Sequence, residues 1–101
     1  MPALLVVNET ITEPELFEDY KRAVVPTLEK FGGRFVARGA ALEVLETSGT
    51  WSPDRLVIVE FPDMAALKAW YDSPEYAPAR EIRLRSASST LVALETSPVS
   101  P

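Results

Sequence analysis

The sequence contains no cysteine and no histidine. Without cysteine there is no disulfide, no thiolate nucleophile and no cysteine-held metal, and the redox compartment stays open. Without histidine the usual general base near neutral pH is missing, as is the commonest metal ligand. Serine–histidine and cysteine–histidine nucleophile pairs are therefore excluded within one chain. Glycine is scarce, at four residues, and Gly32-Gly33 and Gly39 fit neither a phosphate-cradling loop nor a dinucleotide fingerprint. Ten Lys and Arg face fifteen Asp and Glu, a formal net charge of −5. That argues against nucleic acid as a partner, because phosphate binding needs a basic surface. Residues 1–7 lack the basic region and long apolar stretch of a signal peptide, and no run approaches the ~18 apolar residues of a membrane span. The scattered carboxylates show no metal-ligand spacing. The expectation is a cytoplasmic protein without metal, cofactor, nucleic-acid or membrane partner.

What is present suits one globular domain. Hydrophobic residues make up 47% and charged residues 25% of the 101, enough to bury ~60–65% of the unfolded surface. The domain is read as residues 1–95, followed by a flexible Ser- and Pro-containing tail over 96–101. Residues 3–11 (ALLVVNETI) read as a strand. Thr12 is expected to cap a helix over 14–31, whose Phe17, Tyr20, Val24, Leu28 and Phe31 form one buried stripe. Pro26 is expected to kink that helix and Gly32-Gly33 to end it. Residues 34–46 read as a long strand, or a hairpin-like pair, bent at Gly39. Residues 55–61 (RLVIVEF) are the most strand-like segment. Asp63 caps a second helix with Met64, Leu67, Trp70 and Tyr71 on its apolar side. Ser73 and Pro74 restart a third helix over about 74–85, and residues 89–95 make the last strand.

This order, β-α-β-β-α-β with an extra short helix, is the ferredoxin-like split arrangement of the α+β class. An antiparallel sheet with helices on one face normally alternates apolar and polar residues. Here Leu56 and Ile58 share one face of their strand while Val57, Val59 and Phe61 share the other, and Leu91-Val92-Ala93-Leu94 repeats the two-sided pattern. The helices cover one face only. A second copy of the sheet is the simplest cover for the other, so a homodimer is expected.

Four segments carry a resemblance to a known family: Gly32-Gly33-Arg34-Phe35 with Arg38-Gly39, Trp51-Ser52-Pro53-Asp54-Arg55-Leu56, Val59-Glu60-Phe61-Pro62, and Ala69-Trp70-Tyr71-Asp72-Ser73-Pro74-Glu75-Tyr76. Together they resemble the family catalogued as domain of unknown function 1330, within the dimeric α/β-barrel superfamily, over residues 3 to 95. The resemblance implies a ferredoxin-like protomer and a dimer whose two sheets form a barrel. The family has no settled activity. Relatives in the superfamily include cofactor-independent monooxygenases of polyketide quinones, muconolactone isomerase-like enzymes and haem-dependent members, which bind ligand between the helices and the concave sheet. Two departures stand out. The missing histidine removes proximal haem ligation, and the first strand carries Leu4, Leu5 and Val6 where many members have aromatic residues.

Several side chains are candidates for a small-molecule site. Arg38, Arg80 and Arg83 would grip an anion. Arg38 is placed by period two on the face of Val36, where it is either paired with Glu43, Glu46 or Glu60 or faces a cavity. Arg80 and Arg83 share a helical face with Tyr76 and are either ligand-facing or solvated. Glu60, in phase with Leu56 and Ile58, is a candidate general base or else a salt bridge to Arg38 or Arg55. Tyr20 and Tyr76 are hydrogen-bond donors or core tyrosines, and Trp70 a stacking platform or core. Asn8 would orient a water or a substrate carbonyl, or simply end its strand.

The sequence thus reads as a homodimeric small-molecule enzyme without cofactor. It would act on a planar anionic or phenolic metabolite by proton transfer, as in isomerisation or cyclisation, or by cofactor-free oxygenation. Glu60 and Arg38 would be catalytic, with Tyr20, Trp70, Tyr76, Arg80, Arg83 and Asn8 binding substrate. The alternative is a non-catalytic metabolite-binding or accessory dimer. A cavity on the order of 300 Å³ or more near Tyr20, Arg38, Glu60 and Arg83 would favour a ligand-binding role.

Overall fold

A computed structural model describes residues 1–39 and 41–97. Seven elements follow in the expected order: β1 (Ala3–Ile11), α1 (Pro14–Lys30), β2 (Arg34–Arg38), β3 (Leu56–Phe61), α2 (Met64–Tyr71), α3 (Ala77–Ser86) and β4 (Ala87–Glu95). The four strands form one antiparallel sheet in the order β2-β3-β1-β4. This is the ferredoxin-like α+β arrangement, with α3 inserted before the last strand.

Alternation along the strands sorts the sheet into two faces. Ala3, Leu5, Val7 and Glu9 of β1, Val57, Val59 and Phe61 of β3, and Ala87 of β4 are buried under the helices. The helices contribute Phe17, Tyr20, Val24 and Leu28 from α1, Leu67 and Trp70 from α2, and Ala79 from α3. Tyr76, in the turn that leads into α3, closes the same core and is fully buried. The opposite face carries Leu4, Val6, Leu56 and Ile58 with Val92 and Leu94, and the last two are 52% and 44% exposed. The two-sided strand pattern therefore corresponds to a buried face and an open apolar face.

Four local expectations change. β2 ends at Arg38, and 41–47 form no strand. β2 lies at the sheet edge, Gly39 turns the chain with φ +66°, and residues 41–47 find no partner strand among the described residues, leaving Leu45 92% exposed. A bulge between Phe35 and Ala37 shifts the strand parity, so Arg38 falls on Phe35's face and not on Val36's. At the start of α1 the capping position is Glu13, without a side-chain cap, while the Thr12 N–H is taken by the Ser86 carbonyl at 2.8 Å. Ser73 does accept from the Tyr76 N–H at 3.1 Å, but 74–76 form a turn, and α3 starts three residues later than expected. Asp63 caps α2 as anticipated, accepting from the Ala66 N–H at 2.8 Å. Thr96, at the start of the expected tail, is bound to the Pro2 carbonyl through both its N–H and its hydroxyl; residues 98–101 and Ala40 lie outside the described residues.

Candidate functional site

Between α1 and the sheet lies a narrow apolar slot of about 40 Å³, walled by Leu5, Val7, Phe17, Val24, Leu28, Phe35, Val57, Val59, Trp70 and Leu91. Its polar lining is limited to Glu9, Tyr20, Lys21, Arg38 and Arg55. Lys21, Arg38 and Arg55 also border a wider surface groove of about 520 Å³, together with Glu18, Arg22, Val25 and Pro26. Alone, the slot has room for a few waters; a metabolite-sized ligand needs the groove as well.

Glu9 forms the charged floor. It is in phase with Ala3, Leu5 and Val7, so β-strand geometry carries its carboxylate to the helix face, where it is only 3% exposed. Arg55 donates to it at 2.7 Å and lies 5.4 Å from the Phe17 ring centre. Burial nevertheless raises the Glu9 pKa above its ordinary 4.5, against the lowering effect of Arg55 and, more weakly, Arg83 and Lys21. Ser89 stands opposite Glu9 in the sheet, and its buried hydroxyl has no partner. At the mouth, Arg38 stacks over Phe35 at 4.1 Å. Lys21, Arg22 and Arg55 pair with Glu18, Asp19 and Glu9, whereas no carboxylate among the described residues lies within 4 Å of Arg38.

Behind the slot runs a buried polar chain. Arg83 is 4% exposed and donates its Nε–H to the Tyr76 hydroxyl at 3.2 Å. That hydroxyl lies 3.0 Å from the hydroxyl of Tyr20. Burial, then the neighbouring Tyr76, push the Tyr20 pKa far above the ordinary phenol value, so it is a neutral phenol at physiological pH. The Trp70 ring packs on Tyr76 with centroids 4.1 Å apart, and its Nε1–H donates to Thr27 at 3.0 Å.

Of the residues singled out in the sequence, Tyr20, Arg38 and Trp70 line the slot, and Tyr76 with Arg83 backs it. The remaining three lie elsewhere. Glu60 projects from the open face of β3 and pairs with Arg34, because its parity matches Leu56 and Ile58 rather than the buried Val57 and Val59. Asn8 sits on the same open face and accepts from the Asp54 N–H at 3.1 Å, fixing the approach to β3. Arg80 lies on the outside of α3, donating to the Tyr71 carbonyl at 3.2 Å. Glu9 was not among the sequence candidates, although an acidic residue in phase with an apolar stripe is itself a signal. No metal-holding group of three or more Asp or Glu occurs among the described residues, and no helix there is long and apolar enough to cross a membrane.

The model of the family described as domain of unknown function (DUF1330) matches residues 2–97. Among curated proteins no sequence matches the chain. Among solved structures, the RPA0582 protein of unknown function from Rhodopseudomonas palustris superposes with a TM-score of 0.76 at 25% identity, covering 99% of this chain and 84% of that one. SnoaB from Streptomyces nogalater, a cofactor-independent oxygenase, gives 0.66 at 16% identity, with 99% and 97% covered. A dimeric protein of unknown function and ferredoxin-like fold from Bacteroides fragilis gives 0.65 at 17% identity, with 94% and 96% covered. At the last two identities the likeness concerns the fold.

Proposed function

The chain belongs to the DUF1330 family, and from that premise we propose that it is the protomer of a homodimeric small-molecule enzyme working without a cofactor. It acts on a planar anionic or phenolic metabolite by proton transfer, or by oxygenation in which the substrate enolate supplies the electrons and O2 is the oxidant. One observation carries this reading: a buried carboxylate of raised pKa, Glu9, lies at the floor of an apolar slot whose mouth holds Arg38, a guanidinium with no carboxylate within 4 Å among the described residues.

Arg38 receives the substrate's anionic group in the groove, with Lys21 beside it. The edge of a ring enters the slot among Phe17, Phe35 and Trp70. Glu9, rather than the outward-facing Glu60, accepts a carbon-bound proton beside a carbonyl, and the electron pair moves onto that carbonyl oxygen as an enolate. Returning the proton at another carbon completes an isomerisation. The open sheet face with Val6, Ile58, Val92 and Leu94 pairs with its copy, a reading supported by the dimeric fold relative.

The small volume of the slot favours a second reading, a non-catalytic accessory dimer. Deuterium exchange into the acidic ring positions of 1,3-dihydroxynaphthalene, followed by NMR in D2O, separates the two. The enzyme reading expects exchange above the buffer rate, lost in Glu9→Gln and retained in Glu60→Gln. Exchange that never exceeds the buffer rate, or that survives Glu9→Gln, rejects Glu9 as the base.

A further inference from the structure

Arg83, Tyr76 and Tyr20 form a hydrogen-bonded series whose direction the chemistry fixes. Guanidinium has donors only, so at the 3.2 Å contact Arg83 donates and the Tyr76 oxygen accepts. The second contact, 3.0 Å between the hydroxyls of Tyr76 and Tyr20, is ambiguous by geometry alone. If Tyr20 donated, the Tyr76 proton would be left without an acceptor at a side chain that is 0% exposed, a cost of about 1–3 kcal/mol. If Tyr76 donates, the spare proton belongs to Tyr20, the one member of the three that lines the slot. The unpaired proton then faces a space where a ligand oxygen or a water can accept it.

We infer that Tyr20 is the terminal donor of a directed Arg83–Tyr76–Tyr20 chain and binds an oxyanion in the slot, a phenolate or enolate oxygen in the proposed reaction. The inference rests on the proposed site and names what stabilises the charge that proton removal creates. Arg83 has no carboxylate within 4 Å among the described residues, so its positive charge is not spent in a direct ion pair. Each hydroxyl polarised by the one behind it becomes a better donor. The arrangement lets a buried cation act on the ligand through two neutral phenols without entering the slot. Tyr20 and Glu9 line the same space, which places the donor to the oxygen and the base for the carbon on one ligand.

The probe is 4-nitrophenol, whose bound phenolate and phenol are told apart by absorbance. Lys21, Arg38 and Arg55 at the mouth also favour phenolate, so the decisive quantity is the difference between wild type and Tyr76→Phe. That variant keeps the Tyr20 hydroxyl and cuts it from Arg83. Wild type is expected to hold the probe more ionised than it is in free solution at the same pH. In Tyr76→Phe the phenolate preference should fall roughly three- to tenfold, the difference between a charge-assisted and a neutral donor. Tyr20→Phe should remove the contribution altogether. Loss of thermal stability in Tyr76→Phe with the phenolate preference intact would mean the chain is merely structural, and would overturn the inference while leaving the proposed site standing. Failure of wild type to bind the probe would reject the site and the inference together. A phenolate preference that depends on Tyr76, in a protein that exchanges no ring protons, would keep the donor chain and reject the catalytic reading.

Discussion

Arg55 and Glu9 are joined twice: the guanidinium donates to the buried carboxylate at 2.7 Å, and the Arg55 carbonyl accepts from the Glu9 N–H at 2.9 Å. The backbone bond fixes where β1 and the entry to β3 meet, and the side-chain bond neutralises the carboxylate on the core side. Removing the arginine leaves a charge that is almost wholly desolvated. Arg55→Ala is expected to cost about 3–5 kcal/mol near neutral pH, as for other buried pairs broken on one side. Restoring part of that loss with the double change Arg55→Ala, Glu9→Gln would attribute it to the stranded charge; equal losses in single and double variants would attribute it to packing against Phe17.

The pH dependence of stability follows from the direction of the Glu9 shift. Burial raises its folded-state pKa above the ordinary 4.5, so the folded state holds the proton more tightly than the unfolded chain does. The stability contributed by Glu9 is complete below pH 4.5 and is lost as pH rises through its folded value. Urea denaturation of wild type and Glu9→Gln from pH 4 to 7.5 should show the variant gaining relative to wild type as pH rises. A constant difference across that range would show that Glu9 titrates alike in both states.

Much of the fold is legible in the sequence from composition and period together. The apolar, β-branched runs over residues 3–11 and 56–61 give β1 and β3, and the spacing of Phe17, Tyr20, Val24 and Leu28 gives α1. Period alone misleads at Arg38, where one bulge residue reverses the parity of everything after it. Composition misleads over 41–46, an apolar-rich run with Ala41, Leu42, Val44 and Leu45 that has no neighbouring strand among the described residues to complete its hydrogen bonds. The site is less legible for a related reason. Glu9 announces its face but not its partner, since Arg55 lies 46 residues further along. Glu60 also has well-defined parity, but only the three-dimensional arrangement shows that its face is the one without helices.

Gly39 supports the site from behind. Its φ of +66° belongs to the left-handed region, and a Cβ there would run into the Arg55 guanidinium. Gly39→Ala should therefore strain the turn after β2 and displace Arg55 from Glu9 together, at about 1–3 kcal/mol. The two effects separate by NMR titration: displacement of Arg55 should carry the Glu9 pKa further upward. A destabilised variant with an unmoved Glu9 titration would confine the effect to the backbone.

The open sheet face provides the last test. Val92 is 52% exposed in the protomer and sits beside Val6 across the β1–β4 ladder. Val92→Asp adds no charge to the protomer core, yet in a sheet-on-sheet dimer it would bury a charge from each copy in the interface, at a cost of several kcal/mol. Native mass spectrometry of wild type should give twice the 11.1 kDa chain mass, and Val92→Asp should give a folded single chain. Leu84 on α3, 58% exposed and off the sheet, is the control, and Leu84→Asp should remain a dimer. If wild type runs as a single chain, or if Val92→Asp stays dimeric while folded, the apolar face has another purpose and the paired-sheet assembly is rejected.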